Sequence, residues 1–308
     1  MSKKSEASNT KFNTITPGWN VAFSIIMIGL AILCVAPMAL VFIVSVTGKT
    51  SLSYNGYSFF PTELTVDAYK YLFKQGQQIA RGYRVTIAYT VVNTVLSLFV
   101  MSMFAYVISQ KNFKLRNAFT MFTFFTMLFG GGLVPSYILN VRYLHLNDTF
   151  WIFVLPGLFS FYNCVILRTF ISTTIPDSLF EAAKIDGAGH FRIYFKIVLP
   201  LFKAGLATIG LFKVVGNWND WFTGKLYIDD PNLVPLQTML NRIMDNINFV
   251  KNNAAKLTDS EINAILGNMP TESARMAITV VTVLPILAAY PFFQQYFVQG
   301  LTIGSVKG

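Results

Sequence analysis

Glu181-Ala182-Ala183-Lys184-Ile185-Asp186-Gly187-Ala188-Gly189, followed after a charged stretch by Ile197-Val198-Leu199-Pro200, is the part of the chain on which the fold turns. Asp177 or Ser178 is placed to cap a short helix whose first turn carries Glu181, an acid near the positive end of the helix dipole. Ala182 and Ala183 are small and permit close approach by another surface. Gly187 ends that helix and turns the chain, and Pro200 opens the next one without losing a needed donor. The expectation over residues 176–200 is a polar helix-turn-helix, and its flanks decide where it lies.

Both flanks are apolar. Before it runs Thr149 to Leu167, ending at Arg168, whose long side chain can snorkel to an interface. After it runs Ala204 to Tyr227, which carries Lys213 and Asp220 inside. Working outward, Val21 to Val46, Val85 to Ser109, Asn117 to Val141 and Met276 to Gln299 are apolar and free of charge. About 20 such residues cross the hydrocarbon core as a helix. Backbone polar groups cannot stay unpaired in lipid, so all six stretches are predicted as helices rather than strands. With 308 residues, 54% hydrophobic and 12% charged, the chain is too apolar for an ordinary soluble domain. The 29 Phe and 14 Tyr suit lipid-facing helices and their interfacial ends. The fold class is an all-α membrane protein with six transmembrane helices.

Orientation follows from the shortest basic loop. Gln110 to Arg116 holds Lys111, Lys114 and Arg116 with no acid, which places it in the cytoplasm by the positive-inside rule. Six spans then put both termini in the cytoplasm and lay the helix-turn-helix on the cytoplasmic face. Residues 1–18 form a polar tail, and the apolar run after them exceeds a signal-peptide core. Residues 19–308 form the membrane domain. Its two long outer loops are 47–84, with an interfacial helix expected near Leu64 to Phe73, and 228–275, with apolar residues at helical spacing from Leu236. Either can dock an external protein or simply cap the bundle.

The net charge of +10 is spread between apolar runs rather than gathered on one face, which argues against nucleic acid as a partner. Cys34 and Cys164 lie inside apolar segments as small hydrophobes, with no disulfide framework or metal site. His145 and His190 have no partner at ligand spacing and read as surface residues. No Gly-x-x-x-x-Gly-Lys-Ser/Thr loop occurs. Gly130 to Gly132 sit in an apolar span, where glycines let helices pack closely or break. The chain carries no enzyme chemistry and calls for no cofactor of its own.

The Glu-Ala-Ala…Gly…Ile-x-Leu-Pro arrangement, with nine residues between Gly187 and Ile197, resembles the EAA motif of binding-protein-dependent ATP-binding-cassette importer permeases. The resemblance implies a type I importer permease fold in a bacterial plasma membrane. It also implies a coupling helix carrying Glu181, Ala182, Ala183, Asp186, Gly187, Ile197, Leu199 and Pro200 into a cleft of a separate ATPase, the chain that binds ATP and Mg. Phe129-Gly130-Gly131-Gly132-Leu133-Val134-Pro135-Ser136-Tyr137, Leu155-Pro156-Gly157 and the ending from Phe293 to Gly308 look like the carbohydrate-uptake branch, nearest the polysaccharide and uronate-oligosaccharide permeases of Gram-positive bacteria. The partners implied are a second, different permease, two ATPase copies and an extracellular solute-binding protein. The resemblance further implies that Gly304 to Gly308 reach the ATPase interface.

Candidate solute contacts are fewer. Asn217-Trp218-Asn219-Asp220-Trp221 place aromatic faces, amides and a carboxylate together, which suits sugar rings and hydroxyls; the alternative is an interfacial Trp belt. Lys213 is deeper, and an intramembrane ammonium faces a cavity or a partner. It favours an acidic sugar, or else it snorkels or pairs. Asn93 and Asn163 are further candidates. A permease for amino acids or phosphate would share the coupling loop, and a secondary transporter would need no ATPase.

Overall fold

The computed structural model describes residues 17–74, 76–253, 256–258, 260–261 and 271–305, so the N-terminal tail, part of the second outer loop and the last residues of the chain lie outside it. Among the described residues there is no strand, only an isolated bridge between Thr47 and Leu64. The chain folds as two units, one from residues 17–71 with 271–280 and one from residues 72–261 with 281–305.

In the first unit α1 (Pro17–Ser45) is apolar on every side, and Ile25, Met27 and Leu33 are all more than half exposed. A helix of this kind is a membrane span. After α1 the backbone doubles back, with the Gly48 N–H donating to the Glu63 carbonyl at 3.0 Å and the Thr65 N–H to Val46 at 2.8 Å. Between these lies α2 (Lys49–Asn55), and beyond them the expected interfacial helix forms as α3 (Asp67–Lys74). Ser273 Oγ donates to the Thr47 carbonyl at 2.7 Å, and the Tyr57 hydroxyl donates to Glu272 Oε2 at 2.6 Å. That bond to a carboxylate raises the Tyr57 phenol above its ordinary pKa.

The second unit is built on α4 (Gly76–Ser109), which packs against α7 (Phe161–Thr174), α11 (Lys203–Trp218) and α13 (Leu236–Asn253). Its C-terminal half joins Met101, Ala105, Cys164, Leu167, Ile171 and Ile209 in one buried cluster. Its other half joins Tyr89, Ile152, Phe153, Val154 and Tyr227 in a second. Gly205 lets α7 and α11 touch, since a Cβ there would stand 2.9 Å from Phe170 Cγ.

Continuity departs from expectation in three of the six apolar stretches. Residues 117–141 split into α5 (Arg116–Leu128) and α6 (Leu133–Ile138), which runs on as a π turn to Tyr143, with a 108° bend between them. Three successive glycines cost helix stability, and Gly132 at φ 83° takes the left-handed region. Residues 149–167 are not one helix. A 3₁₀ turn (Phe150–Phe153) leads to non-helical backbone through Pro156 and Gly157, and α7 starts only at Phe161 and runs past Arg168. Residues 204–227 divide into α11 and α12 (Phe222–Tyr227). α4 begins at Gly76, inside the expected loop 47–84. Among the described residues Gly18–Ser45 and α4 are long and apolar enough to cross a membrane, and up to four segments qualify if each bent pair counts as one span. The last expected span, 276–299, lies within α14 (Thr271–Ser305), which carries Pro285 and Pro291.

The Gly205 approach gives a direct test. Gly205→Ala should lower the thermal midpoint of the purified protein by a few degrees, consistent with about 1–3 kcal/mol of overpacking. Combining it with Phe170→Ala should recover part of that loss; an unshifted midpoint in the single variant would contradict the packing.

Candidate functional site

The segment 176–200 folds as two short helices projecting from the bundle. The first is α8 (Asp177–Ile185). Its N-cap is Pro176 rather than Asp177 or Ser178: Pro176 has extended dihedrals and no amide hydrogen, a fit for the position before a first turn. Asp177 is instead the first helical residue, and its carboxylate forms an ion pair with Lys111 from the α4–α5 loop. Glu181 falls in the second turn and is exposed.

Gly187 ends α8 at φ 73°. The Gly187 N–H donates to Lys184 at 3.0 Å and the Ala188 N–H to Ala183 at 2.9 Å, the paired bonds of a Schellman cap. The second helix begins at His190, not at Pro200. It runs as α9 (His190–Ile193), a π turn (Tyr194–Val198) and α10 (Leu199–Leu201). Pro200 cannot donate to the carbonyl four residues back, and the wider π turn before it accommodates that loss. Just beyond, at Phe202, the path bends by 79° into α11.

The sequence-predicted residues divide by face. Ala183 is buried and Ile197 and Leu199 pack on the core, while Glu181, Ala182, Asp186, Gly187 and Pro200 are exposed. Only Ala182 of the alanine pair is therefore free for another surface; Ala183 closes against the chain's own core with Phe180. The inner side is tied to α4 by polar bonds. Ser102 Oγ and the Tyr194 hydroxyl share a buried hydrogen bond of 2.6 Å, and the Tyr106 hydroxyl lies 3.3 Å from His190 Nδ1. His190 thus sits at the surface but has a neighbour after all. Two outward apolar residues escaped the motif: Ile185 is 86% exposed and Phe191 67%. Their signal was present as apolar side chains out of phase with Phe180 and Ala183.

Deeper in the bundle a polar network gathers Asn93, Asn217 and Lys213. Asn93 Nδ2 donates to the carbonyls of Val154 at 2.8 Å and Phe153 at 3.3 Å, and Asn93 Oδ1 accepts from Asn217 Nδ2 at 2.9 Å. Ser97 Oγ lies 3.3 Å from the same Asn93 oxygen. Lys213 Nζ donates to the Gly157 carbonyl at 2.7 Å, and the Tyr89 hydroxyl to that of Asn217. Ser97 and Tyr89 were not predicted. The buried series Thr86, Thr90, Asn93, Thr94, Ser97, all on one face of α4, is the pattern that marks them.

The other candidates do not join the network. Asn163 stands in the first turn of α7, its N–H 3.5 Å from the capping Ser160 Oγ. Trp218 is buried on the far side, its Nε1 donating to the Thr282 carbonyl at 3.1 Å. Asp220 Oδ1 accepts the Thr223 N–H at 3.0 Å and so caps α12. Asn219 Nδ2 donates to the Val215 carbonyl at 2.9 Å. Trp221 is exposed, with Lys225 Nζ 5.4 Å above its ring. The expected cluster 217–221 is therefore not one wall: five consecutive residues point in different directions where the helix ends. Among the described residues no group of His, Cys, Asp and Glu is arranged to hold a metal.

Residues 101–303 match the family of binding-protein-dependent transport system inner membrane components. The chain is 35% identical over 300 residues to protein LplC of Bacillus subtilis, covering 97% of each chain. It is 36% identical over 279 residues to the polygalacturonan/rhamnogalacturonan transport system permease protein YtcP of the same species, covering 90% of this chain and 94% of that one. Among solved structures it is similar, with a TM-score of 0.73 and 25% identity, to a chain in the crystal structure of a bacterial ABC transporter involved in the import of the acidic polysaccharide alginate, over 92% of this chain and 99% of that one. The family match starts inside α4, takes in the projecting segment and runs into α14, and the likeness to LplC carries it to nearly the full length: the chain belongs to the binding-protein-dependent transport system inner membrane component family.

Proposed function

We propose that this chain is one half of the membrane pathway of an ATP-driven importer of oligosaccharides, with uronate-bearing sugars as the cargo class. The observation that carries the reading is α8, a short helix whose outer face of Glu181, Ala182, Ile185 and Asp186 is exposed while its inner face is bound into the core of α4, α7 and α11. Such a knob is suited to receive a push and pass it to the bundle. Two copies of a separate ATPase, which hold ATP and Mg, supply the push. A second, different permease supplies the other half of the pathway, and an extracellular binding protein delivers the solute. Closure of the ATPase pair then biases the bundle between outward-open and inward-open states.

On this reading six crossings place both termini in the cytoplasm, with residues 149–174 crossing as a broken helix, 117–143 as a bent one, and the fifth crossing starting past the bend at Phe202. Residues 1–18 are a tail, 19–308 the permease domain, and 47–84 and 228–275 the outer loops, where α2, α3 and α13 lie. Lys213, Asn217 and Asn93 form the polar wall of the pathway, with Asn219 and Trp221 as an outer ledge. Trp218, Asp220 and Asn163 support it from behind. The acidic cargo rests on Lys213, whose ammonium spends one hydrogen on Gly157 and keeps two, and on relatives whose names specify polygalacturonan and alginate. Nothing comparable points to amino acids or phosphate.

Lys213→Met should raise the concentration for half-maximal uptake of uronate oligosaccharides by about tenfold, the effect of losing one charge-assisted bond, with a much smaller change for neutral ones. Equal effects on both cargoes would remove the ionic role. For the knob, Ile185→Asp alters an exposed side chain, so the variant should keep its thermal midpoint yet lose at least about tenfold in ATPase co-purification. Undiminished co-purification would show that the motor docks elsewhere. Gly187→Val forces a branched residue into the left-handed region at a cost of about 1–2 kcal/mol, and transport-coupled ATPase activity should fall while solute capture by the binding protein is untouched.

A further inference from the structure

Two cavities meet where α4 leaves the bundle. One, of about 370 Å³, is apolar and is lined by Phe99, Met103, Phe104 and Phe119 together with Val107 and Phe113. The other, of about 340 Å³, shares Val107 and Phe113 and adds Gln110, Asn112, Lys184 and His190. Phe113 stands between them, its ring 5.9 Å from that of Phe119. Apolar space thus passes within one side chain of a chamber that ends in amide, imidazole and ammonium donors.

Lys184 on α8 is the Lys or Arg side chain that lines the second chamber among the described residues. Lys111 is neutralised by Asp177. Lys114 and Arg116, which follow the lining residue Phe113 within three positions without lining the chamber themselves, lie close by in the chain. None of Lys184, Lys114 and Arg116 has a carboxylate within ion-pair distance among the described residues. A lining of hydrocarbon that opens onto unpaired cations at the end of a span complements one kind of molecule, with an apolar chain and an anionic head. Basic pockets between membrane helices at the cytoplasmic face hold such headgroups. A second permease subunit would fill the apolar cavity as well, but it gives no account of the Lys184 ammonium lining the chamber beside it.

We propose that these joined cavities hold one anionic phospholipid of the cytoplasmic leaflet, an acyl chain among Phe99, Met103, Phe104 and Phe119 and the phosphate at Lys184, Lys114 and Arg116. The site rests on the orientation given under the proposed function. Because Lys184 belongs to α8, the headgroup touches the same helix that the ATPase grips. Bilayer charge thereby acts on coupling.

Native mass spectrometry of the assembled transporter, loaded with phosphatidylglycerol or phosphatidylcholine of identical chains, tests this. Phosphatidylglycerol should be retained at least about tenfold over phosphatidylcholine. Lys114→Gln, Arg116→Gln and Lys184→Gln should each lower its occupancy roughly fivefold. Val107→Trp, which fills the shared wall, should abolish it with all three charges and the fold intact, and a photo-crosslinker at Val107 should capture lipid. Equal retention of the two lipids, indifference to all three charge removals, or capture of the second permease at Val107 would overturn the site. Labelling of Lys114→Cys by a membrane-impermeant maleimide, in a background lacking Cys34 and Cys164, reads orientation separately. Access only from the cytoplasm is expected. Access from outside would overturn the orientation whatever lipid is bound.

Discussion

The carbonyls of Phe153, Val154 and Gly157 set the terms for the whole bundle. Phe153 and Val154 are buried where regular helix gives out, and an unpaired carbonyl there costs several kcal/mol; Gly157, a few residues on, is exposed. Pro156 and Gly157 keep the segment from closing into a helix that would satisfy them. Asn93, Ser97 and Lys213 supply the missing donors, and Asn217 in turn satisfies the oxygen of Asn93. The donors come from two helices, Asn93 and Ser97 from α4 and Lys213 from α11, so the broken segment can exist only where those helices are held at fixed register. Polar demand, as much as apolar packing, assigns α4 its central position.

This is why the sequence is legible in some places and silent in others. Long uncharged runs such as Val21 to Val46 and Val85 to Ser109 declare helices, because in lipid nothing else satisfies their backbone. The runs 117–141, 149–167 and 204–227 look the same by composition, yet their continuity depends on whether a neighbour can pair the groups a break sets free. Gly130 to Gly132 and Leu155-Pro156-Gly157 flag where breaks are cheap. Only the tertiary fold, by bringing Asn93 and Lys213 to the second of these, decides that one forms. The same holds for 217–221: spacing along one helix was the premise for a single polar wall, and the helix stops at Trp218. Gly187 was legible because its requirement is local, a left-handed turn. The partition of Ala182 from Ala183 was not, since it depends on which side Phe180 finds a core.

The projecting segment obeys the opposite logic from the interior. Its outer face is left unfinished, with Ile185 and Phe191 in the open beside Glu181 and Asp186, while its inner face is over-determined by Phe180, Ala183, Ile193, Tyr194 and Val198. The Ser102–Tyr194 bond and the Lys111–Asp177 pair fasten it to both the last turns of α4 and the loop beyond them. A surface that moved independently of the bundle would not need such anchoring. One that must move with it would.

Stiff and soft parts then fall in a definite order along the chain. The network around Asn93 resists sliding of α4 against α11, because a shift of a few ångströms would strand several buried polar groups at once. The places that can absorb rotation are the bends, at 129–132, at Phe202 and at 219–221, where helical hydrogen bonding has already lapsed. Of these, Phe202 lies directly between the projecting segment and α11, so displacement of α8 reaches α11 through a bend that can open or close. The half of α11 that this bend would swing carries Lys213 and Asn217. On the proposed function, a motion imposed on α8 would reach those polar groups only by way of this bend, so its stiffness sets how much of the motion arrives.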